Sequence, residues 1–131
     1  VGENSIFFDH VHLISQDARA AAAWYVEKLG GKIVADTEAR GATQIGVAFE
    51  GATLLIRGRR PGEAPGGKTG QQWGMDHFGF NVRGDFDLFC DHLRRQGVVF
   101  TLEPVDYSPN LRIAFILAPD GVSIELLQRK A

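Results

Sequence analysis

The sequence predicts an α+β protein made of two tandem βαβββ modules that form curved mixed sheets. Three observations lead there. The stretch from Phe8 to Ser15 alternates polar and apolar residues, the two-residue period of a half-buried strand. A second stretch, Trp73 to Val82, repeats the pattern with the same Asp-His pair, Asp9-His10 in one and Asp76-His77 in the other. Each stretch then runs into an amphipathic helix opened by an aspartate and closed by glycine.

The elements follow in order. After a polar lead-in at 1–5, the first strand is expected over about 6–15, with His10 and His12 on one face. Asp17 caps an alanine-rich helix in which Ala22, Tyr25, Val26 and Leu29 recur at i, i+3, i+4 and i+7, giving one buried face. Gly30-Gly31 stops it. A strand over 32–38 turns at Arg40-Gly41, and strands over 43–49 and 52–57 form a hairpin through Glu50-Gly51. The second module repeats this order. A strand covers about 74–82, and Asp85 caps a helix with Phe86, Phe89, Cys90 and Leu93 as its apolar stripe and Gly97 at its end. A strand over 98–103, a connection over 104–110 and a hairpin of 111–117 with 122–128 around Pro119-Asp120-Gly121 complete it. Between module 1 (about 6–57) and module 2 (about 73–129), the Gly- and Pro-rich residues 58–72 read as a plain linker. Neither module can cover its concave apolar face alone, so the whole of 1–131 is read as a single domain in which the copies pack against a partner.

Composition narrows the function. A chain of 131 residues with 44% apolar and 23% charged residues is of ordinary globular character. A net charge of −2 with interspersed signs gives no basic stripe for nucleic acid and no polybasic cluster for a membrane surface. No apolar run is long enough to span a bilayer, and no secretory leader opens the sequence. The single cysteine, Cys90, excludes an internal disulfide, fits a reducing compartment and reads as a buried thiol, so the cytoplasm is expected. Arg57-Gly58-Arg59-Arg60 reads as a solvated strand exit, and Trp73, Phe78 and Phe80 as core or pocket wall.

The duplication also points to a site. Aligning the two last hairpins at their turns makes Leu55 the counterpart of Glu125. A carboxylate inside the apolar run Val122, Ile124, Leu126, Leu127 is costly to bury unless it is paired or bound to metal. His10 and His77 on matching first strands, with Glu125 on a last strand, make a 2-His-1-carboxylate set. Such a set holds a divalent cation by one face and leaves positions open for substrate. Nitrogen and oxygen donors without thiolate suit Fe, Mn, Co, Ni or Zn alike. His12, beside His10, is the candidate catalytic acid or base, with an unperturbed pKa of about 6.5. Asn81, Tyr107 and Arg112 are candidate pocket residues, Arg112 to meet a substrate carboxylate.

Asp9-His10-Val11-His12-Leu13 with Asp17, Trp24-Tyr25 and the Leu29-Gly30-Gly31 helix end, Asp76-His77-Phe78-Gly79-Phe80, and Ala118-Pro119-Asp120-Gly121-Val122-Ser123-Ile124-Glu125-Leu126 together resemble the vicinal oxygen chelate superfamily. That group includes glyoxalase I, methylmalonyl-CoA epimerase, extradiol dioxygenases, and fosfomycin- and bleomycin-resistance proteins. The resemblance implies paired βαβββ modules, chelation of vicinal substrate oxygens on one divalent metal, and a homodimer with sites formed between modules of two subunits. By position His10, His77 and Glu125 match the family's ligands. The fourth ligand of glyoxalase I and the epimerase is replaced here by Leu55. The chemistry implied is that of a lyase or isomerase acting on a small oxygenated substrate. An Fe(II) extradiol-type dioxygenase is an alternative, although Phe115 stands where that group has a tyrosine. A metal-free binding or resistance protein is another.

Overall fold

Two four-stranded sheets carry the chain, one in each of the units Val1–Gly66 and Gly67–Ala131, whose boundary falls inside the linker read from the sequence. The computed structural model describes residues 6–67 and 73–130. In the first unit β1 (His10–Ile14), α1 (Ala18–Leu29), β2 (Lys32–Ala39), β3 (Ala42–Phe49) and β4 (Ala52–Arg57) follow in order. The sheet runs β1-β4-β3-β2, with β1 parallel to β4 and the other pairs antiparallel. The second unit repeats it with β5 (Phe78–Asn81), α2 (Phe86–Arg95), β6 (Val99–Ser108), β7 (Leu111–Leu117) and β8 (Ser123–Arg129), in the order β5-β8-β7-β6. The α+β architecture of two βαβββ modules is therefore the one expected from the sequence.

Each helix is set by its cap and its stripe. The Asp17 carboxylate accepts from the Ala20 N–H at 3.0 Å, and Asp85 does the same for Leu88 at 3.0 Å, each satisfying an amide that the first turn leaves without an intrahelical acceptor. Gly30 ends α1 at φ 78°, a left-handed conformation that a side chain would oppose. In α1 the buried residues are Ala18, Ala21, Ala22 and Tyr25, over a sheet face whose Ile45, Val47, Leu54 and Ile56 are also buried. In α2 they are Phe86, Cys90 and Leu93, matched by buried Ala114 and Ile116 on β7 and Ile124 and Leu126 on β8. Each large side chain so buried contributes about 1.5–3 kcal/mol. The alternate positions of the central strands thus face the helix, and their other set lies on the open face of each sheet, the face that also bears His10 and His12 in the first unit and His77 in the second.

Four sequence expectations change. The strand read over 6–15 is paired only from His10, and that read over 74–82 only from Phe78. Each is an edge strand with a single parallel neighbour. Residues 104–110 are not a connection, because β6 continues through Pro104 to Ser108. Proline is tolerated there because β6 is an edge strand and its register shifts between Leu102 and Val105. Trp73 is fully exposed, neither core nor wall. Finally, Arg57 is not solvated. It is 8% exposed, with its guanidinium on the Glu63 carboxylate. Residues 58–67 hold no helix or strand, as expected, yet their first part is tied to the sheet. Residues 68–72 lie outside the described residues.

Candidate metal centre

The second unit brings two of the expected ligands together. His77 immediately precedes β5, and Glu125 lies on β8, where it is registered against Gly79 of β5. The Nε2 of His77 stands 3.1 Å from Oε1 of Glu125, with side chains 30% and 20% exposed. Nδ1 of the same ring is 2.7 Å from Oδ2 of Asp76. A carboxylate on Nδ1 fixes the ring's orientation and raises its basicity, the arrangement that aims the other nitrogen at a cation. With both nitrogens facing carboxylate oxygens, His77 holds its proton above the ordinary histidine range. The Asp76 hydrogen bond is the chief cause and Glu125 adds to it, against the opposing effect of burial. Phe115, paired with Glu125 across β7 and β8, packs edge-on against His77 at 4.8 Å between ring centres. A phenol is thus absent from the place that the dioxygenase alternative would give to tyrosine.

The first unit repeats the same device around His10. Its Nδ1 is 2.7 Å from Oδ2 of Asp9, and its ring lies 6.0 Å from that of His12 on the same face of β1. His12 is registered against Leu55, as Gly79 is against Glu125. The two units are therefore exchanged at one position pair. The second has glycine opposite glutamate, and the first has histidine opposite leucine. His12 is held below the ordinary histidine range, first by burial and then by the positive charges of Arg57, His10 and Arg60, so its ring is neutral near pH 7.

The glycine has a steric reason. A Cβ on Gly79 would stand 3.1 Å from the carbonyl oxygen of Glu125 and 3.3 Å from its Cβ. Gly79 thus leaves Glu125 its room, which sequence reading missed because the opposing residue is known only once the register is known. The aspartates Asp9 and Asp76 were visible as a repeated motif, but their hold on the histidine rings was not.

The other candidates are placed as follows. Asn81, two residues beyond Gly79 on the same face, accepts through Oδ1 from Nη1 of Arg129 at 3.2 Å. Tyr107 is 74% exposed on β6, at a register shift between Asp106 and Ser108. Arg112 stands three residues from Phe115 and so on the opposite face of β7, with its guanidinium on Asp87 and Asp106. It is already answered by two carboxylates and lies away from His77 and Glu125. Among the described residues, no three His, Cys, Asp or Glu side chains gather as a metal site.

The model of the glyoxalase/bleomycin resistance protein/dioxygenase superfamily matches residues 7–126. The chain belongs to this superfamily. A curated relative is the uncharacterized protein YwkD of Bacillus subtilis (strain 168), 26% identical over 124 residues, which cover 92% of this chain and 94% of that one. Among solved structures, the glyoxalase family protein APC24694 from Bacillus cereus has a TM-score of 0.83 with 17% identity, covering 100% of this chain and 99% of that chain. TnmS3, an antibiotic binding protein from Streptomyces sp. CB03234, has a TM-score of 0.71 with 25% identity over 98% of each chain. Superfamily membership agrees with the two βαβββ units, and no helix among the described residues is long and apolar enough to cross a membrane.

Proposed function

We propose that this chain is a metal-dependent enzyme of the superfamily, a lyase or isomerase that chelates adjacent oxygens of a small substrate. The observation that carries the reading is Glu125 against Nε2 of His77, with Asp76 locking the far side of the ring. A carboxylate 20% exposed in an apolar strand, with a glycine cleared to admit it, is an expensive arrangement for a surface that only packs. The nitrogen and oxygen donors fit a divalent cation of the Fe, Mn, Co, Ni or Zn type. His77 and Glu125 would hold it, with His10, oriented by Asp9 as His77 is by Asp76, as the third ligand. A bound cation would polarise the substrate oxygens and stabilise negative charge developing on them.

The protein's own residues supply the rest. His12, neutral near pH 7 and beside His10, takes a proton from the substrate carbon and returns it. Asn81, steadied by Arg129, offers an amide on the face that bears His77, and Tyr107 an exposed phenol on β6. Pairing of two copies is part of the proposal. It is supported by Ile6, Phe7 and Phe8 before one Asp-His pair and Met75 before the other, all exposed.

Metal analysis of protein purified without chelator, followed by calorimetric titration, tests the reading. His77→Ala, Glu125→Gln and His10→Ala should each abolish stoichiometric metal, and Asp76→Asn should weaken it about 10–100-fold. Wild-type protein that takes up no divalent metal would sink the proposal. It would favour a second reading, a metal-free binding protein, supported by the likeness to the antibiotic-binding TnmS3.

A further inference from the structure

We infer that the substrate carries an anionic group, a carboxylate or a phosphate, and that Arg60, fixed beside the buried Arg57 by Glu63, receives it near His12. This rests on the reading of the His10 face as the substrate face. Arg57 closes β4 registered against Ile14, two positions beyond the Leu55 and His12 pair, so its side chain rises on the face that bears His12 and His10. A buried guanidinium needs a partner, and Glu63 supplies one through two N–H···O bonds at 2.6 and 3.1 Å.

The same carboxylate accepts the backbone N–H of Arg60 at 2.8 Å, and the Glu63 N–H donates to the Arg60 carbonyl at 3.1 Å, closing a tight turn. On the far side of the turn, Pro61 packs so closely on Gly41 that a Cβ there would stand 2.9 Å from it. The backbone of Arg60 is thus held from both ends, as a preorganised binding group should be.

Its side chain is left over. Glu63 brings one negative charge to two arginines and spends its oxygens on the Arg57 guanidinium and the Arg60 amide. Nε of Arg60 is shut off from water and has no hydrogen-bond partner among the described residues. A buried N–H without a partner is costly, so an oxygen brought to this guanidinium gains more than one brought to a solvated arginine. Glu63 ties the Arg60 backbone to Arg57, whose side chain shares the face of His12, so the surplus cation sits at the end of the strand pair that bears the proposed base. A guanidinium fork matches the planar oxygens of a carboxylate and the oxygens of a phosphate, and a neutral substrate would leave it unanswered.

The test follows the arginine Nε–Hε resonances of the full chain, without added metal, in titrations with sodium phosphate and with sodium acetate at constant ionic strength. The Arg60 resonance should shift to saturation, and the arm that saturates at lower concentration identifies the anion. Arg60→Ala should weaken binding, read at the Arg57 and His12 resonances, by about tenfold or more. Arg59→Ala removes the same charge but should leave binding unchanged, because Arg59 lines a separate groove with Asp17 and Glu38. A drift without saturation, or equal weakening by the two variants, overturns the inference. Since no metal is present, failure here with intact metal uptake refutes the anion subsite alone. Saturable anion binding without metal uptake refutes the metal reading alone.

Discussion

Gly79→Ala inserts one methyl group between β5 and β8, and its cost can be worked from the contacts it would make. The new Cβ would meet the Glu125 carbonyl oxygen at 3.1 Å, the Glu125 Cβ at 3.3 Å and Cδ2 of Leu127 at 3.3 Å. Comfortable carbon contacts run at about 3.5–4.0 Å, so something must yield by a few tenths of an ångström. The Leu127 methyl can turn aside. The backbone at Glu125 cannot do so cheaply, because it is paired with Gly79 on one side and with Phe115 on the other. Overpacking of this kind costs about 1–3 kcal/mol, offset by about 0.5–1 kcal/mol because alanine loses less backbone freedom than glycine. The net expectation is about 1 kcal/mol, read as a Tm a few degrees lower. The yielding atoms carry the carboxylate that faces His77, so metal affinity should fall with stability, by about tenfold or more. Thermal melting and calorimetric titration with Co(II) or Zn(II) measure both. A variant with the parent's Tm and affinity would refute the claim that the glycine makes room for the ligand. Lost stability with unchanged affinity would refute the coupling between them.

Three further outcomes are expected. Burial pushes the Cys90 thiol up to about 11, so a disulfide reagent at pH 8 should leave folded protein unmodified and label the single thiol only after denaturation. The Glu63 carboxyl falls from 4.5 to about 2, chiefly through its bond to Arg57. A depressed acid stabilises the fold above its unfolded value and loses that contribution as pH falls. Denaturation midpoints should therefore drop between pH 4.5 and 2 in the parent and drop less over that window in Glu63→Gln. Asp85→Ala removes the side chain that accepts from Leu88 and should cost about 1 kcal/mol in chemical denaturation, with metal uptake unchanged.

How far the sequence could be read depends on whether a feature is local. Alternation in β1, the aspartate caps and the closing glycines are local, and they placed both units. Glu125 stood out because a lone carboxylate in an apolar strand breaks its own pattern. The span of β6 was hidden by Pro104, since proline halts a central strand but not an edge one, and edge position is a property of the assembled sheet. Trp73 was read as core or pocket wall, yet no strand pairs there and it lies open. Arg57 was read as solvated because its partner sits six residues on in a stretch without regular structure, where no periodicity announces it. Arg112 was assigned to the pocket by its neighbourhood in the chain, whereas strand parity turns it to the face of Asp87.

The exchanged pair carries a consequence for how such a protein could change. His12 and Leu55 stand abreast, as Gly79 and Glu125 do. Leu55→Glu alone would place the new carboxylate abreast of the His12 imidazole, whereas Leu55→Glu with His12→Gly would reproduce the pairing of the second sheet. The two positions are therefore coupled, and the effect of either change depends on the other.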